Sequence, residues 1–180
     1  MKVRIAIASL LAAAAFGAEL KVSDSDLPRV PATEPDKAIS TFQIRDGFRA
    51  ELVAGEPLVM SPVAVAFDEN GRLFAAEMRD YSELRDEKLG RIKLLEDTDG
   101  DGRFDRATIY ATNLPWPTAV ICWDGGVFVG ASPDILYFKD TNSDGTADVR
   151  RVVFTGFGNG TAKLNVQQLL NSFTWGMDNR

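Results

Sequence analysis

Two short acidic segments carry the residues of this 180-residue sequence that are best suited to chemistry. Residues Asp97–Asp105 read DTDGDGRFD, and residues Asp140–Asp148, which start 43 positions later, read DTNSDGTAD. Loops that bind Ca²⁺ typically place side-chain oxygens at positions 1, 3, 5 and 9, a backbone carbonyl at position 7 and a glycine at position 6. Both segments meet this pattern, so their spacing predicts two Ca²⁺ sites.

The predicted ligands come from equivalent positions of the two segments. In the first segment they are Asp97, Asp99, Asp101, the carbonyl of Arg103, and Asp105. In the second they are Asp140, Asn142, Asp144, the carbonyl of Thr146, and Asp148. Position 12 holds Thr108 or Arg151 instead of the bidentate Glu of an EF-hand, so the segments resemble the D-x-D-x-D-G loops of thrombospondin- and dockerin-like repeats. We expect a structural ion bound with a Kd of ~10⁻⁴–10⁻³ M; the alternative is a solvated acidic turn without an ordered ion.

The composition excludes several other kinds of site. The chain contains no His, which excludes a His general base, the Ser-His-Asp and Cys-His arrangements, His zinc sites and the C-x-x-C-H haem motif. Its one cysteine, Cys122, excludes an intrachain disulfide. The net charge of -6 argues against nucleic acid as a partner, because an acidic chain repels the phosphate backbone.

The first eighteen residues have the pattern of a secretory signal. Lys2 and Arg4 precede the apolar run Ile5–Phe16, and small residues follow at the expected cleavage point. We therefore predict a signal peptide over residues 1–18 and an exported protein, periplasmic or extracellular, with no membrane span after cleavage. An uncleaved N-terminal anchor is the alternative. Residues 19–40 are polar and contain three prolines, which predicts an extended linker.

Short runs of apolar residues, broken by turn residues every eight to twelve positions, predict strands over most of the remaining chain. The predicted strands are Arg49–Ala54, Val63–Phe67, Leu73–Glu77, Ile92–Leu95, Ala107–Ala111, Ala119–Trp123, Val127–Ala131, Ile135–Lys139 and Val149–Thr155. Hairpin turns are predicted at residues 68–71 and 124–126, where Asn-Gly and Gly-Gly pairs supply the positive φ. Gln167–Phe173 gives a weak signal for one helical turn.

The order of these elements repeats. Each unit reads strand, hairpin, strand, loop, strand, acidic loop, strand, and four antiparallel strands per repeat of about forty residues are typical of β-propeller blades. We predict an all-β fold over residues 41–180: a partial β-propeller with two four-stranded blades, at about 61–113 and 117–157, and the start of a third near Ser172. Because propellers close with about four to eight blades, we expect a larger protein. A β-sandwich is the alternative.

Several segments resemble the start of the membrane-bound dehydrogenase N-terminal propeller family, which is similar to the PQQ-dependent glucose/sorbosone dehydrogenases. They are Glu77–Tyr81, Gly90–Leu95, Trp116–Thr118, Gly126–Ala131, Val153–Gly158 and Trp175–Asn179, and the resemblance covers roughly residues 45–180. It implies an exported propeller, often followed by helical-repeat and cytochrome c regions, that oxidises a sugar or alcohol and passes electrons to a quinone or haem. PQQ is implied only for a full-length protein, because those enzymes use a His base that this chain lacks.

We therefore predict an N-terminal propeller fragment that is inactive alone, and we assign no catalytic residue. A non-catalytic propeller that binds glycans or proteins is the alternative, and a remnant without function is a third reading. Arg79, Asp80 and Tyr81 follow a predicted strand and are expected to form an ordinary loop with a salt bridge. Trp116 is expected to pack between blades, and Cys122 to be a buried apolar residue. The sequence does not predict the oligomeric state.

Overall fold

The computed structural model describes residue 23 and residues 31–81, 83–158 and 169–178. The strands are β1 (Pro62–Phe67), β2 (Leu73–Glu77), β3 (Gly90–Glu96), β4 (Arg106–Leu114), β5 (Ala119–Trp123), β6 (Gly126–Ala131), β7 (Asp134–Lys139) and β8 (Val149–Thr155). The described helices are short: α1 (Pro35–Ala38) and the 3-10 helices Ile39–Thr41 and Arg85–Glu87. Within the described ranges, no helix reaches the length and apolarity of a membrane-spanning segment. The predicted signal peptide lies outside the described residues.

The strands form two four-stranded antiparallel sheets. The first sheet has the order β1-β2-β3-β4 and the second β5-β6-β7-β8, so each strand pairs with its neighbour in the sequence. The predicted all-β fold class is confirmed, as is each predicted strand from Val63 onwards, with ends that shift by at most three residues. The chain builds these sheets from local hairpins, as its alternation of apolar runs and turns indicates.

The first hairpin shows how turn residues set this local structure. Asp68 accepts hydrogen bonds from the backbone N–H groups of Asn70 (2.9 Å) and Arg72 (2.9 Å), which closes the turn between β1 and β2. Gly71 has a φ of 77°, a conformation that glycine adopts without steric cost. The side chain thus replaces ladder hydrogen bonds at the point where the chain reverses.

Three sequence expectations differ from the structure. The segment Arg49–Ala54 forms no strand with any described part of the chain, in contrast to the strand predicted there. The linker is not extended throughout, because α1 begins at Pro35, a residue suited to the first helical position, and carries Asp36 in its first turn. Residues 169–173 contain no helical turn, and the rest of that predicted turn lies outside the described residues.

The main core lies between the two sheets. From the first sheet it takes Phe74, Ile92, Leu94 and Tyr110, and from the second Val127, Val129, Leu136 and Phe138. The rings of Phe74 and Tyr110 meet edge to face with their centroids 4.9 Å apart. A smaller cluster of Leu73, Ala75 and Leu95 covers the other face of the first sheet, against Ala54, Leu58, Val59 and Phe104. Strand β2 is therefore buried along its whole length.

Candidate metal centre

The two acidic segments occupy the same place in the two sheets. Residues 97–105, the first acidic loop, connect β3 to β4, and residues 140–148, the second acidic loop, connect β7 to β8. Each loop therefore joins the third and fourth strands of its sheet, where the sequence repeat predicts it. Strands frame both loops, in contrast to the helices that frame an EF-hand.

Carboxylates hold the first acidic loop by accepting hydrogen bonds from its own backbone. Asp97 accepts the N–H groups of Gly100 (2.7 Å) and Gly102 (2.9 Å). Asp99 accepts the N–H of Asp101 (3.2 Å), and Asp101 accepts that of Arg103 (2.7 Å). Both glycines have positive φ values, 78° and 89°, which let the chain curl around the Asp97 carboxylate.

Three of the predicted ligands come together in this loop. Carboxylate oxygens of Asp97, Asp99 and Asp105 lie within 4.8 Å of one another, and all three residues are exposed. Asp101, also a predicted ligand, is not part of this group. The Arg103 guanidinium donates to Asp36 (3.3 Å). Among the described residues, no Lys or Arg forms an ion pair within 4 Å with any of the three clustered carboxylates, so their charges remain available to a cation.

The second acidic loop repeats these hydrogen bonds at equivalent positions. Asp140 accepts the N–H groups of Ser143 (2.7 Å) and Gly145 (2.8 Å). Asn142 accepts the N–H of Asp144 (3.0 Å), and Asp144 accepts that of Thr146 (2.8 Å). Asp148 accepts the Thr141 hydroxyl (2.7 Å), as Asp105 accepts the Thr98 hydroxyl (2.7 Å) in the first loop. Different sequences thus adopt one loop form.

The loop backbone also stabilises the charged form of the first carboxylate in each loop. The N–H of Gly102, assisted by that of Gly100, lowers the pKa of Asp97. For Asp140, desolvation acts to raise the pKa, but the N–H groups of Gly145 and Ser143 outweigh it and the pKa is lowered. An anionic carboxylate is the form that binds a hard cation, so both loops favour the ligand form of their first residue.

A polar cleft of about 490 Å³ lies beside the second acidic loop, between the two sheets. Its cations are already paired: Arg72 with Asp68 (2.7 Å), Arg106 with Glu96 (2.9 Å) and Lys139 with Asp124 (3.5 Å). The cleft therefore offers no described cation without a carboxylate partner to an incoming anion. The carboxylates that line this cleft in the second acidic loop, Asp140 and Asp144, are therefore its groups best suited to bind a cation.

Residues 34–180 match the model of a family described as a domain of unknown function, DUF7133. The chain belongs to this family. A search of curated proteins finds no match for the chain. The family description assigns no activity, so the resemblance to quinone dehydrogenases stays a prediction.

Two carboxylates at the opposite end of the first sheet, Glu77 and Asp80, are buried, which the sequence does not predict. Glu77, fully buried, accepts the backbone N–H of Met60 (2.7 Å) and pairs with the Arg91 guanidinium. Asp80, 1% exposed, accepts the N–H of Leu89 (3.0 Å) through Oδ2. Its Oδ1 is buried without a hydrogen-bond partner. Asp80 forms no salt bridge among the described residues, in contrast to the loop salt bridge expected for Arg79–Tyr81. An acid at the end of an otherwise apolar strand is the signal that points to Glu77.

Trp116 is buried as expected, whereas Cys122, expected to be buried, is only partly so. Trp116 is buried, packs on the ring of Tyr81 at 5.7 Å and donates its indole N–H to the Asp80 carbonyl (3.1 Å). Cys122 is half-buried, and desolvation raises the pKa of its thiol to about 11, with Asp68 and Glu69 adding to the shift. A thiol with this pKa is a poor nucleophile at neutral pH.

Proposed function

We propose that this chain forms the first part of an exported, calcium-stabilised β-propeller, in which each blade holds one Ca²⁺ between its third and fourth strands. The observation that carries the proposal is the duplication of the acidic loop: two different sequences form the same hydrogen-bonded loop at the same place in two successive sheets. The donor set consists of carboxylate, amide and carbonyl oxygens, which fits a hard cation. The ion's role is structural: it joins the ends of the outer two strands.

The way the sheets stack supports a propeller over a sandwich. The face of the first sheet that packs against the second carries Ala66, Phe74 and Leu94, which lie side by side in the ladder. The equivalent row of the second sheet is Ile121, Phe128 and Tyr137. This row faces away from the first sheet, on the side opposite Val127 and Val129.

That far face of the second sheet is apolar and open. It forms a cleft of about 480 Å³ whose lining includes Ile121, Phe128, Phe173 and Trp175, and Trp123 and Phe154, also part of the lining, are 46% and 60% exposed. A two-layer sandwich would bury its inner faces and leave its outer faces polar. An apolar outer face fits an array in which every sheet receives another one, and the segment Phe173–Trp175 begins to cover it.

The dehydrogenase-like part of the proposal rests on the family resemblance. PQQ binding fits the present residues poorly, because the chain has no His and the described cations of the polar cleft are paired with carboxylates. We therefore derive no redox step for this chain. We propose that any oxidation of a sugar or alcohol belongs to a longer protein, to which these two sheets contribute architecture.

Calcium titration tests the proposal directly. With a Kd of ~10⁻⁴ M, 1 mM Ca²⁺ raises the free energy of unfolding by about 1.4 kcal/mol per site. Isothermal calorimetry should show two sites, and thermal unfolding should shift upward in Ca²⁺ compared with a chelator. Asp97→Asn removes one site and Asp140→Asn the other, whereas Glu69→Gln, an exposed acid in the β1–β2 turn, serves as the control and changes neither.

The contrary result is clear. No binding heat and no shift in the unfolding temperature at millimolar Ca²⁺ would show that the loops are solvated acidic turns. If Asp97→Asn and Asp140→Asn each remove the same single site, the assignment of one ion to each sheet is contradicted.

A further inference from the structure

The segment Arg49–Ala54 has the burial pattern of a strand, although it pairs with no strand in the described part of the chain. Burial alternates along it: Ala50, Leu52 and Ala54 are half-buried, whereas the residues between them are exposed. Ala54 packs on the cluster that covers the free face of the first sheet. Burial of every second residue is typical of a strand that packs one of its faces on a core and exposes the other.

One hydrogen bond places this segment in the repeat. The N–H of Phe104 donates to the carbonyl of Val53 (2.8 Å), and the N–H of Ala147 donates to the carbonyl of Tyr110 (2.9 Å). Phe104 and Ala147 are both the eighth residue of an acidic loop. The carbonyl of Val53 therefore contacts the acidic loop of the first sheet at the same position at which the carbonyl of Tyr110, in β4, contacts the acidic loop of the second sheet.

An irregularity in the pairing of β3 with β4 coincides with Tyr110. In the pairing of β3 with β4, Ile92 lies opposite Ala111 and Lys93 lies opposite Ile109, so Tyr110 is the extra residue of a β-bulge. Its carbonyl accepts the N–H of Ala147, which precedes β8 of the second sheet. By the same correspondence, Leu52 and Ala54 match the ladder residues Ile109 and Ala111.

The surroundings of the loop glycines also agree with this alignment. Gly145 of the second acidic loop packs against Thr108, two residues before Tyr110. Gly102, the equivalent residue of the first acidic loop, lines one pocket together with Glu51, which lies two residues before Val53. The first acidic loop therefore lies near the segment 49–54, but Gly102 makes no contact as close as the one between Gly145 and Thr108.

We propose that Arg49–Ala54 is the fourth, outermost strand of a further four-stranded sheet, whose other three strands come from a later repeat of the same polypeptide. The partner is a three-stranded antiparallel sheet of this repeat type with a free edge on its third strand, joined by strand addition. This proposal rests on the proposed propeller. In a closed ring, the last sheet packs against the free face of the first sheet. Residues 49–54 already lie on that face, so they are in position to become a strand of the last sheet and close the ring.

Hydrogen exchange read by mass spectrometry tests the proposal on the product of the complete reading frame. Backbone amides of residues 50–54 should exchange ~100-fold or more slowly than those of residues 45–48, because ladder hydrogen bonds protect them. Leu52→Pro removes a ladder amide and should abolish this protection, while exchange in β2 and β3 reports that the first sheet still folds. Asp46→Pro in the preceding turn is the matched control and should leave residues 50–54 protected.

Three outcomes would overturn the proposal. If residues 50–54 exchange as fast as 45–48 while oxidative footprinting finds Trp123 buried, the strand assignment fails and the propeller stands. If Trp123 is also exposed, the propeller fails as well. If residues 50–54 are protected but light scattering finds a dimer, the strand is exchanged with a second copy and does not close its own ring.

Discussion

Acidic residues gather at both ends of the first sheet, in opposite environments. The connection from β3 to β4 carries the exposed carboxylates Asp97, Asp99 and Asp105. The connection from β2 to β3 lies at the other end of an antiparallel sheet, and there Glu77 and Asp80 are buried. The exposed group accepts hydrogen bonds from its own nine residues, whereas Glu77 and Asp80 accept them from residues nine to seventeen positions away.

We interpret this difference as one between a candidate ion-binding site and a pair of groups that stabilise the fold. Exposed carboxylates keep their hydration, so several of them can lie together and exchange water for a cation at little cost to the fold. A buried carboxylate has lost that water and must be compensated by protein groups. Changes in the acidic loops should therefore alter ion binding, and changes at Glu77 or Asp80 should alter the stability of the fold.

The largest expected effect comes from Glu77. Glu77→Ala leaves the Arg91 guanidinium, whose side chain is 14% exposed, and the N–H of Met60 without their partner. Breaking a buried ion pair in this way costs about 3–5 kcal/mol. Urea denaturation followed by circular dichroism should show this loss in the free energy of unfolding.

The matched control for Glu77 is Glu96, which pairs with Arg106 at the surface. Because the Arg106 side chain is 61% exposed, Glu96→Ala should cost no more than about 1 kcal/mol. Equal losses in the two variants would mean that burial does not distinguish these ion pairs.

A smaller effect is expected at Asp80. Asp80→Ala removes the acceptor of the Leu89 N–H and should cost about 1–3 kcal/mol. Asp80→Asn keeps one acceptor oxygen for that N–H and replaces the unpartnered oxygen with an amide, so it should cost less than the Ala variant. Thermal unfolding of both variants measures the difference. An Asn variant as unstable as the Ala variant would show that the charge of Asp80, rather than its hydrogen bond, supports the loop.

The sequence predicts the hairpins and the acidic loops because their information is local. Turn residues such as Asp68 and Gly71 stand next to the strands that they connect, and every predicted ligand lies in one of two nine-residue segments. Spacing alone therefore places the candidate metal centre between the third and fourth strands.

The remaining features depend on contacts that no local pattern contains. Glu77 is buried because Arg91 and Met60 reach it from other parts of the chain. Arg49–Ala54 has the composition of a strand, but a strand forms only where a neighbouring edge is present. Asp101 matches the ligand pattern, but it lies outside the cluster of Asp97, Asp99 and Asp105.

The smallest expected effect concerns Cys122 in β5, because the pKa of its thiol responds to the nearby carboxylates of the β1–β2 turn. Desolvation raises its pKa to about 11, and the charges of Asp68 and Glu69 add to the shift. Its neutral thiol is favoured in the folded state, so this contribution to stability is complete below pH 9 and is lost as the pH rises through 11. Alkylation by iodoacetamide should accelerate about tenfold per pH unit up to pH ~11 in the folded protein, and level off near pH 9 in urea. Glu69→Gln should move the folded curve slightly to lower pH. A folded curve that levels off near pH 9 would show that Cys122 is hydrated and feels no field from these carboxylates.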